Sequence, residues 1–333
     1  MFSNIIKLNN IKDYTPNNFT TNKEFVEICK RPQASLKRYL VGKLKETYQD
    51  VLVGDGYIFT KGDIPILLTA HMDTVHEVTV KEFHEENGIL KSPQGIGGDD
   101  RCGIYMILKL IERGYKPSVL FCEDEEIGGV GSNKFVRTEL IEELKACKYL
   151  IELDRANSED AVYYDCGNKE FKEFISEVTG YKEAYGSFSD ISHLSPACDR
   201  ASVNLSCGYY KAHTTDEYVV LSEMENTIDK VAELLSIDYS EMEAFDYQDD
   251  FLNYSSLYDD LYGYSGYSSE GEYEIDFINE NKTSDIETVE ARGYEEAVGV
   301  FLIAHPSLTY QHIIDCYIID DYSDCGYLFD KEV

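Results

Sequence analysis

Basic residues are scarce in this chain: 30 Lys and Arg stand against 63 Asp and Glu, for a formal net charge of −33. Nucleic-acid binding relies on Lys and Arg to neutralise phosphates, and attachment to an anionic membrane surface draws on the same side chains. Both partners are therefore disfavoured. Long apolar runs are missing as well, and nothing approaches the ~18 residues of a membrane span. The N-terminal MFSNIIKLNNIKDY has too short an apolar stretch for a signal h-region and no small-residue cleavage site. The nine cysteines are scattered, odd in number and include no CxxC pair. A reduced compartment fits them better than a disulfide scaffold. Together these absences predict a cytoplasmic protein, with its oligomeric state left open.

A length of 333 residues allows one large core, or one core plus a smaller module. Apolar spacing predicts helices over Thr21–Lys30 and Pro32–Tyr48, then a hairpin of Val51–Val53 and Tyr57–Thr60 around Asp55-Gly56. Ile64–Ala70, Ser118–Cys122 and Tyr149–Leu153 read as strands buried on both faces. Helices are expected over Arg101–Arg113, Ser132–Cys147, Lys169–Thr179 and Ser222–Ser236, with a strand over Ala201–Ser206. This alternation predicts an α/β fold, a mostly parallel mixed sheet sandwiched by helices, over residues 1–237.

From 238 to 281 the chain turns rich in Tyr, Asp, Glu, Ser and Gly, with almost no Lys or Arg. Such a segment reads as a solvated, poorly ordered linker; a sticky Tyr-rich interaction segment is the rival reading. Residues 282–333 carry helical periodicity over Ser284–Ile303 and Ser307–Ile319, around His305-Pro306, and predict a small helical segment without evident chemistry.

What the chain does hold is a series of motifs at strand ends. LLTAHMDTV contains His71 and Asp73, GIGGDDRCG contains Asp99 and Asp100, and CEDEEIGG contains Glu125 and Glu126. YLIELDR contains Asp154, and YYKAHTTDEYV contains His213. Each alone has a bland reading: a strand-end histidine, a Gly-rich turn, an acidic surface turn. The Gly95–Gly98 loop also suggests a phosphate cradle, but no P-loop Lys-Ser/Thr follows and two carboxylates would repel phosphate. Taken together, two imidazoles and three carboxylates, His71, Asp99, Glu126, Asp154 and His213, suit a pair of divalent cations with one shared carboxylate. Asp73, two residues past His71, is placed to fix its tautomer. Of the adjacent Glu125 and Glu126, one can serve a metal and the other a water. His76 and His84 read as surface residues, and His193 is ambiguous.

As a set, HMDTV, GGDDR, EEIGGVG, ELDR and AHTTDEYV resemble the co-catalytic di-zinc exopeptidases, the clan of peptidase T, glutamate carboxypeptidase and the bacterial leucyl aminopeptidases. The likeness covers roughly Thr21 to Ser236 and implies a zinc-exopeptidase/phosphorylase-like fold. It implies that His71 and Asp154 hold one metal, that Glu126 and His213 hold the other, and that Asp99 bridges them. Glu125 becomes the general base and Asp73 the orienter of His71. The implied cofactors are two divalent ions, preferably Zn2+, with Co2+ or Mn2+ as alternatives. Peptidase T carries a large inserted domain between its fourth and fifth ligands. Asp154 and His213 are too close for one, so the chain is similar to the compact aminopeptidases.

The expected activity is therefore aminopeptidase cleavage of short peptides or amino-acid amides, through a metal-bound water that Glu125 activates. The same core would serve a carboxypeptidase, a dipeptidase or an N-acyl-amino-acid deacylase. A catalytically silent binding or scaffold relative is the alternative outside enzymology.

Overall fold

The computed structural model of the protein describes residues 23–184, 186, 188–248, 271–278, 284–291, 301, 304–305 and 313–318. The chain divides into two compact units, 1–251 and 252–333. The first unit begins with α1 (Lys23–Cys29), α2 (Gln33–Leu44), β1 (Leu52–Gly54), β2 (Tyr57–Thr60), β3 (Ile64–His71), β4 (His84–Glu86), β5 (Ile89–Lys91) and α3 (Gly98–Glu112). It continues with β6 (Pro117–Cys122), α4 (Val130–Phe135), α5 (Ile141–Leu144), β7 (Tyr149–Arg155), β8 (Asp160–Val162), α6 (Lys169–Thr179) and β9 (Lys182–Ala184). Last come α7 (Ile191–Cys198), β10 (Ser202–Ser206), β11 (Tyr209–Tyr210), β12 (Tyr218–Val220) and α8 (Leu221–Leu235).

Eight strands form one sheet in the order β1-β2-β6-β3-β7-β10-β8-β9. Its middle strands β6, β3, β7 and β10 are mutually parallel, while β1–β2, β2–β6 and β10–β8 pair antiparallel. Alternation along the middle strands feeds two cores. Ile66, Leu68, Ala70, Val119, Phe121 and Ile151 face the side packed by α1, α2, α3, α6 and α8. Leu67, Leu120, Cys122 and Leu150 face the other side, covered by α4, α5 and α7. Each buried Val, Leu, Ile or Phe among them contributes about 1.5–3 kcal/mol of transfer free energy, and burial on both faces is why these runs read as continuously apolar. A second sheet, β11-β12-β5-β4, carries the β11–β12 hairpin. Among the described residues no helix is long and apolar enough to cross a membrane. The seven cysteines whose side chains are described are free and buried.

Helix α6 begins and ends where its residues dictate. Asn168 accepts from the Phe171 N–H at 2.9 Å, and Gly180, at φ 76°, closes the last turn. The helix expected over Ser132–Cys147 is instead two short ones, α4 and α5. Thr138 Oγ1 donates to the Phe135 carbonyl at 2.7 Å between them, offering the backbone a local alternative to a continuous helix. Helix α7 was not legible, being short and containing Pro196. His84 is exposed as expected, whereas His76 is not a surface histidine.

Two expectations about the C-terminal third change. The stretch from Asp238 is no free linker at its start, because Tyr239, Met242 and Phe245 are buried in the first unit's core. Tyr239 and Tyr149 share a hydroxyl hydrogen bond of 2.6 Å, and Phe245 packs on Phe171 and Phe174. Where the expected helices over Ser284–Ile303 and Ser307–Ile319 fall on described residues, 284–291 and 313–318 are strands instead, while Phe301 is helical. The second unit has β13 (Gly271–Ile278), β14 (Ser284–Ala291) and β15 (Ile313–Ile318), ordered β14-β13-β15 and antiparallel. Ile286, Thr288 and Val289, and Ile313, Ile314 and Ile318, are β-branched and favour a pleated, paired backbone. The Tyr-rich run Tyr254 to Tyr267 lies outside the described residues, as do Thr21, Asn22 and His312.

At the N-terminal edge, Glu24 of α1 links three elements. It pairs with Lys43 Nζ at 2.7 Å and Lys109 Nζ at 2.9 Å, and accepts from the Tyr39 hydroxyl at 2.9 Å. Partial burial pushes its pKa up, but the two ammonium groups and the hydroxyl outweigh this and hold it at about 2. A depressed carboxylate stabilises the fold above its unfolded pKa, and that stabilisation disappears as pH falls toward 2. Because the pair is partly exposed, the contribution at pH 7 is about 1 kcal/mol. Glu24→Gln should therefore unfold more easily than the parent in urea at pH 7, with the difference shrinking below pH 4. A difference that stays constant between pH 7 and pH 3 would count against this account.

Candidate metal centre

Parallel strands deliver their carboxyl ends to one edge of the sheet, and the predicted site residues gather there. His71 ends β3, Glu125 and Glu126 follow β6, and Asp154 is the penultimate residue of β7. Asp99 lies at the start of α3, and His213 sits in the loop joining β11 to β12. All seven residues singled out in the sequence, the two glutamates and Asp73 included, meet in this one place.

Asp99 is at its middle. His71 Nε2 lies 2.9 Å from Asp99 Oδ1 and 3.3 Å from Asp154 Oδ1. His213 Nε2 lies 3.1 Å from both Asp99 Oδ2 and Glu126 Oε2. Two groups of potential ligand atoms result, His71–Asp99–Asp154 and Asp99–Glu126–His213, each spanning no more than 4.8 Å. Asp99 belongs to both. Glu125 Oε2 stands 4.0 Å from His71 Nε2, beside the first group.

Asp73 ties the pieces together. Its Oδ1 lies 3.2 Å from His71 Nδ1 and accepts from the Glu125 N–H at 3.0 Å, while its Oδ2 accepts from the Glu126 N–H at 3.1 Å. One carboxylate thus orients the imidazole and fixes the turn that presents both glutamates. Asp100 faces elsewhere. Asp99 has φ −82°, ψ 103°, so successive side chains leave the chain in different directions. Asp100 Oδ2 accepts from the His71 N–H at 3.1 Å and Oδ1 from the Gly103 N–H at 2.9 Å.

Gly103 is needed for this contact. A Cβ there would lie 1.8 Å from the Leu153 carbonyl oxygen and 2.7 Å from Asp100 Oδ1. Gly103→Ala must push α3 away from β7 and should cost about 1–3 kcal/mol, the usual range for overpacking. The expected readout is a melting temperature lowered by roughly 2–4 °C per kcal/mol. An unchanged melting temperature would show that α3 yields without cost.

Several supporting residues had no role assigned from the sequence, although Tyr209 and Glu217 lie within the His213 motif. Ser189 Oγ donates to Asp154 Oδ2 at 3.2 Å, and Asn204 Oδ1 accepts from the Asp154 N–H at 2.9 Å. The Tyr209 hydroxyl donates to the Asp154 carbonyl at 2.6 Å. Glu217, fully buried, accepts from the Gly97 and Asp99 N–H groups. Only their distance in the chain from what they touch hid them. His193 lies against α4 rather than in the cluster: Ser132 Oγ lies 3.0 Å from its Nδ1, and Phe188 packs on its ring.

The electrostatics call for positive charge. Five carboxyl groups with side chains at most 13% exposed, Asp73, Asp99, Glu125, Glu126 and Asp154, surround the two imidazoles. Burial opposes a charge on His71, yet Asp154, Asp73 and Asp99 lift its pKa well above the ordinary histidine value. His213 is pushed up to about 11 by its bonds to Asp99 and Glu126. Burial, then the neighbouring carboxylates, pushes Asp154 up to about 7 and raises Glu125 well above the usual range. Asp99 is held low: burial raises it, but His213 and His71 outweigh burial. Buried carboxylates in such excess need cations or protons. The mixed imidazole and carboxylate donor set fits divalent transition ions or zinc.

Residues 58–196 match the model of peptidase family M28. No curated protein matches the chain in sequence. Among solved structures, aminopeptidase PepT from Bacillus cereus aligns over 64% of this chain and 96% of its own, at 15% identity and a TM-score of 0.52. A tripeptidase from Staphylococcus aureus aligns over 64% of this chain and 96% of its own, at 14% identity and a TM-score of 0.51. At these identities the likeness is one of fold.

Proposed function

We propose that this chain, a metal-dependent peptide hydrolase of the co-catalytic zinc exopeptidase clan, is an aminopeptidase that acts on short peptides with two divalent ions. The observation that carries the reading is the position of Asp99, shared by two three-residue ligand groups. His71 and Asp154 would hold one ion, Glu126 and His213 the other, and Asp99 would bridge. Zinc suits the donors best, with cobalt or manganese as alternatives. Ions held there would supply Lewis acidity to the scissile carbonyl and to the attacking water.

The remaining work falls to the protein. Glu125 takes the proton of the attacking water on its carboxylate and returns it to the departing amine nitrogen. Burial raises its proton affinity, which suits a group that must hold a proton between two steps. Asp73 keeps His71 in one tautomer through Nδ1 and holds the Glu125 N–H, so base and ligand share one support. Between Asp154 and His213 the chain forms β8, α6, β9, α7, β10 and β11, all within the first unit, and inserts no separate domain. That leaves room for a free α-amine, which favours an aminopeptidase. The free, buried cysteines suit a cytoplasmic setting.

A substrate panel tests the reading. Aminoacyl anilides should be cleaved, a chelator should abolish the cleavage, and added zinc should restore it. Preferential cleavage of N-acylated amino acids would replace the aminopeptidase with a deacylase on the same residues. Chelator-resistant turnover would remove the metal reading altogether.

A further inference from the structure

Glu217 is a carboxylate without access to water: it is 1% exposed, in the loop between β11 and β12 and four residues after His213. Its Oε2 accepts from the Gly97 N–H at 2.8 Å and from His76 Nε2 at 2.9 Å, and its Oε1 accepts from the Asp99 N–H at 3.1 Å. A buried carboxylate persists only where donors replace its hydration, and here three do. Two of them are main-chain groups of the loop that presents Asp99. The third is a histidine whose ring lies against Gly95, where a Cβ would meet it at 2.2 Å. The His76 N–H in turn donates to Thr74 Oγ1 at 3.0 Å.

We propose that Glu217 is a positioning residue that clamps the Asp99 loop to the His213 loop, with His76 holding the clamp, and so sets the affinity for the ion on the Asp99–Glu126–His213 side. The inference rests on the two-ion reading given above. The two ligand groups are anchored unequally. His71 and Asp154 belong to the paired strands β3 and β7, so their separation is fixed by the sheet. His213 has no such support: its side chain is 54% exposed and its backbone lies in the left-handed region at φ 63°. What keeps it 3.1 Å from Asp99 is the short loop that Glu217 pins at its other end. Glu217 touches no ligand side chain; it acts through the backbone of Asp99 and through its own loop. Outer supports of this kind typically change metal affinity on the order of 10- to 100-fold.

The test uses the full chain, stripped of metal and titrated with Zn2+ against a chromophoric chelator, together with thermal unfolding of the metal-free protein. The parent should take up two ions. Glu217→Gln presents an amide N–H2 to one of the main-chain donors; it and His76→Ala should bind the ion on the His213 side on the order of 10- to 100-fold more weakly and the other ion with a clearly smaller loss, since His71 and Asp154 stay fixed by the sheet. His76→Gln, which can still donate to Glu217, should restore the ion on the His213 side. The metal-free melting temperatures of His76→Ala and His76→Gln should be close, which separates positioning from loss of fold. If Glu217→Gln fails to fold, the His76 pair decides, because there Glu217 keeps both main-chain bonds. Parent affinity for both ions in the variants would overturn the clamp and leave the two-ion reading standing. Equal weakening of both ions, unrepaired by His76→Gln, would also overturn it. A parent that binds no zinc would overturn the two-ion reading, and the clamp with it.

Discussion

Glu125→Gln is expected to keep the metal content of the parent and to lose on the order of 10²- to 10⁴-fold in turnover, the usual contribution of a positioned general base. The substitution conserves shape. The Glu125 N–H still donates to Asp73 Oδ1, so the turn that carries Glu126 stays in place. What disappears is the ability to accept and return a proton. If substrate binding is untouched, the loss appears in kcat with KM close to the parent's. Single-turnover kinetics on an aminoacyl anilide, with zinc quantified in the same sample, measure both. Undiminished turnover would remove Glu125 as the base.

Asp99→Ala should have the largest effect on metal content. Asp99 is the one side chain common to both ligand groups, so its removal withdraws a donor from each at once. It also leaves His71 and His213 without the carboxylate that lies 2.9 and 3.1 Å from their Nε2 atoms. Loss of a direct ligand exceeds loss of an outer support, so both affinities should fall by more than about 100-fold and activity should vanish. Asp100→Asn is the control for register. Its amide still accepts one of the two main-chain bonds, to His71 or Gly103, so it should cost stability while both ions remain. Two ions at parent affinity in Asp99→Ala, with ions lost in Asp100→Asn, would move the bridge by one residue. Zinc competition on the two variants distinguishes the outcomes.

Legibility in the sequence followed the length and strength of local patterns. The middle strands were readable because both their faces are buried, which writes an unbroken apolar run. Helix α6 was readable because Asn168 and Gly180 mark its ends. Strands β8, β9, β11 and β12 were not, since two or three residues show no period. The tail misled for a different reason. Its acidic and apolar residues fit a helical spacing, but pairing of β14 and β15 with β13 supplies the backbone hydrogen bonds. His76 misled because its partner, Glu217, is 141 positions away. Ser189, Asn204 and Glu217 likewise meet Asp154 and Asp99 only after folding.

By itself the sequence determined the ingredients: an acidic chain with few cations, parallel strands from apolar runs, and ligand-type side chains placed at strand ends in a fixed order. Those are properties of neighbouring residues, and neighbouring residues are what a sequence displays. The motif resemblance pointed to Asp99 over Asp100, and tertiary structure supplied the reason: Asp100 is turned back onto the His71 and Gly103 N–H groups. Tertiary structure alone decided that Asp73 serves His71 and the glutamate turn together, and that Glu217 joins the Asp99 and His213 loops. Each of these depends on hydrogen bonds between segments tens of residues or more apart, whose separation is set by the register of β3, β6 and β7 and the path of the loops above them.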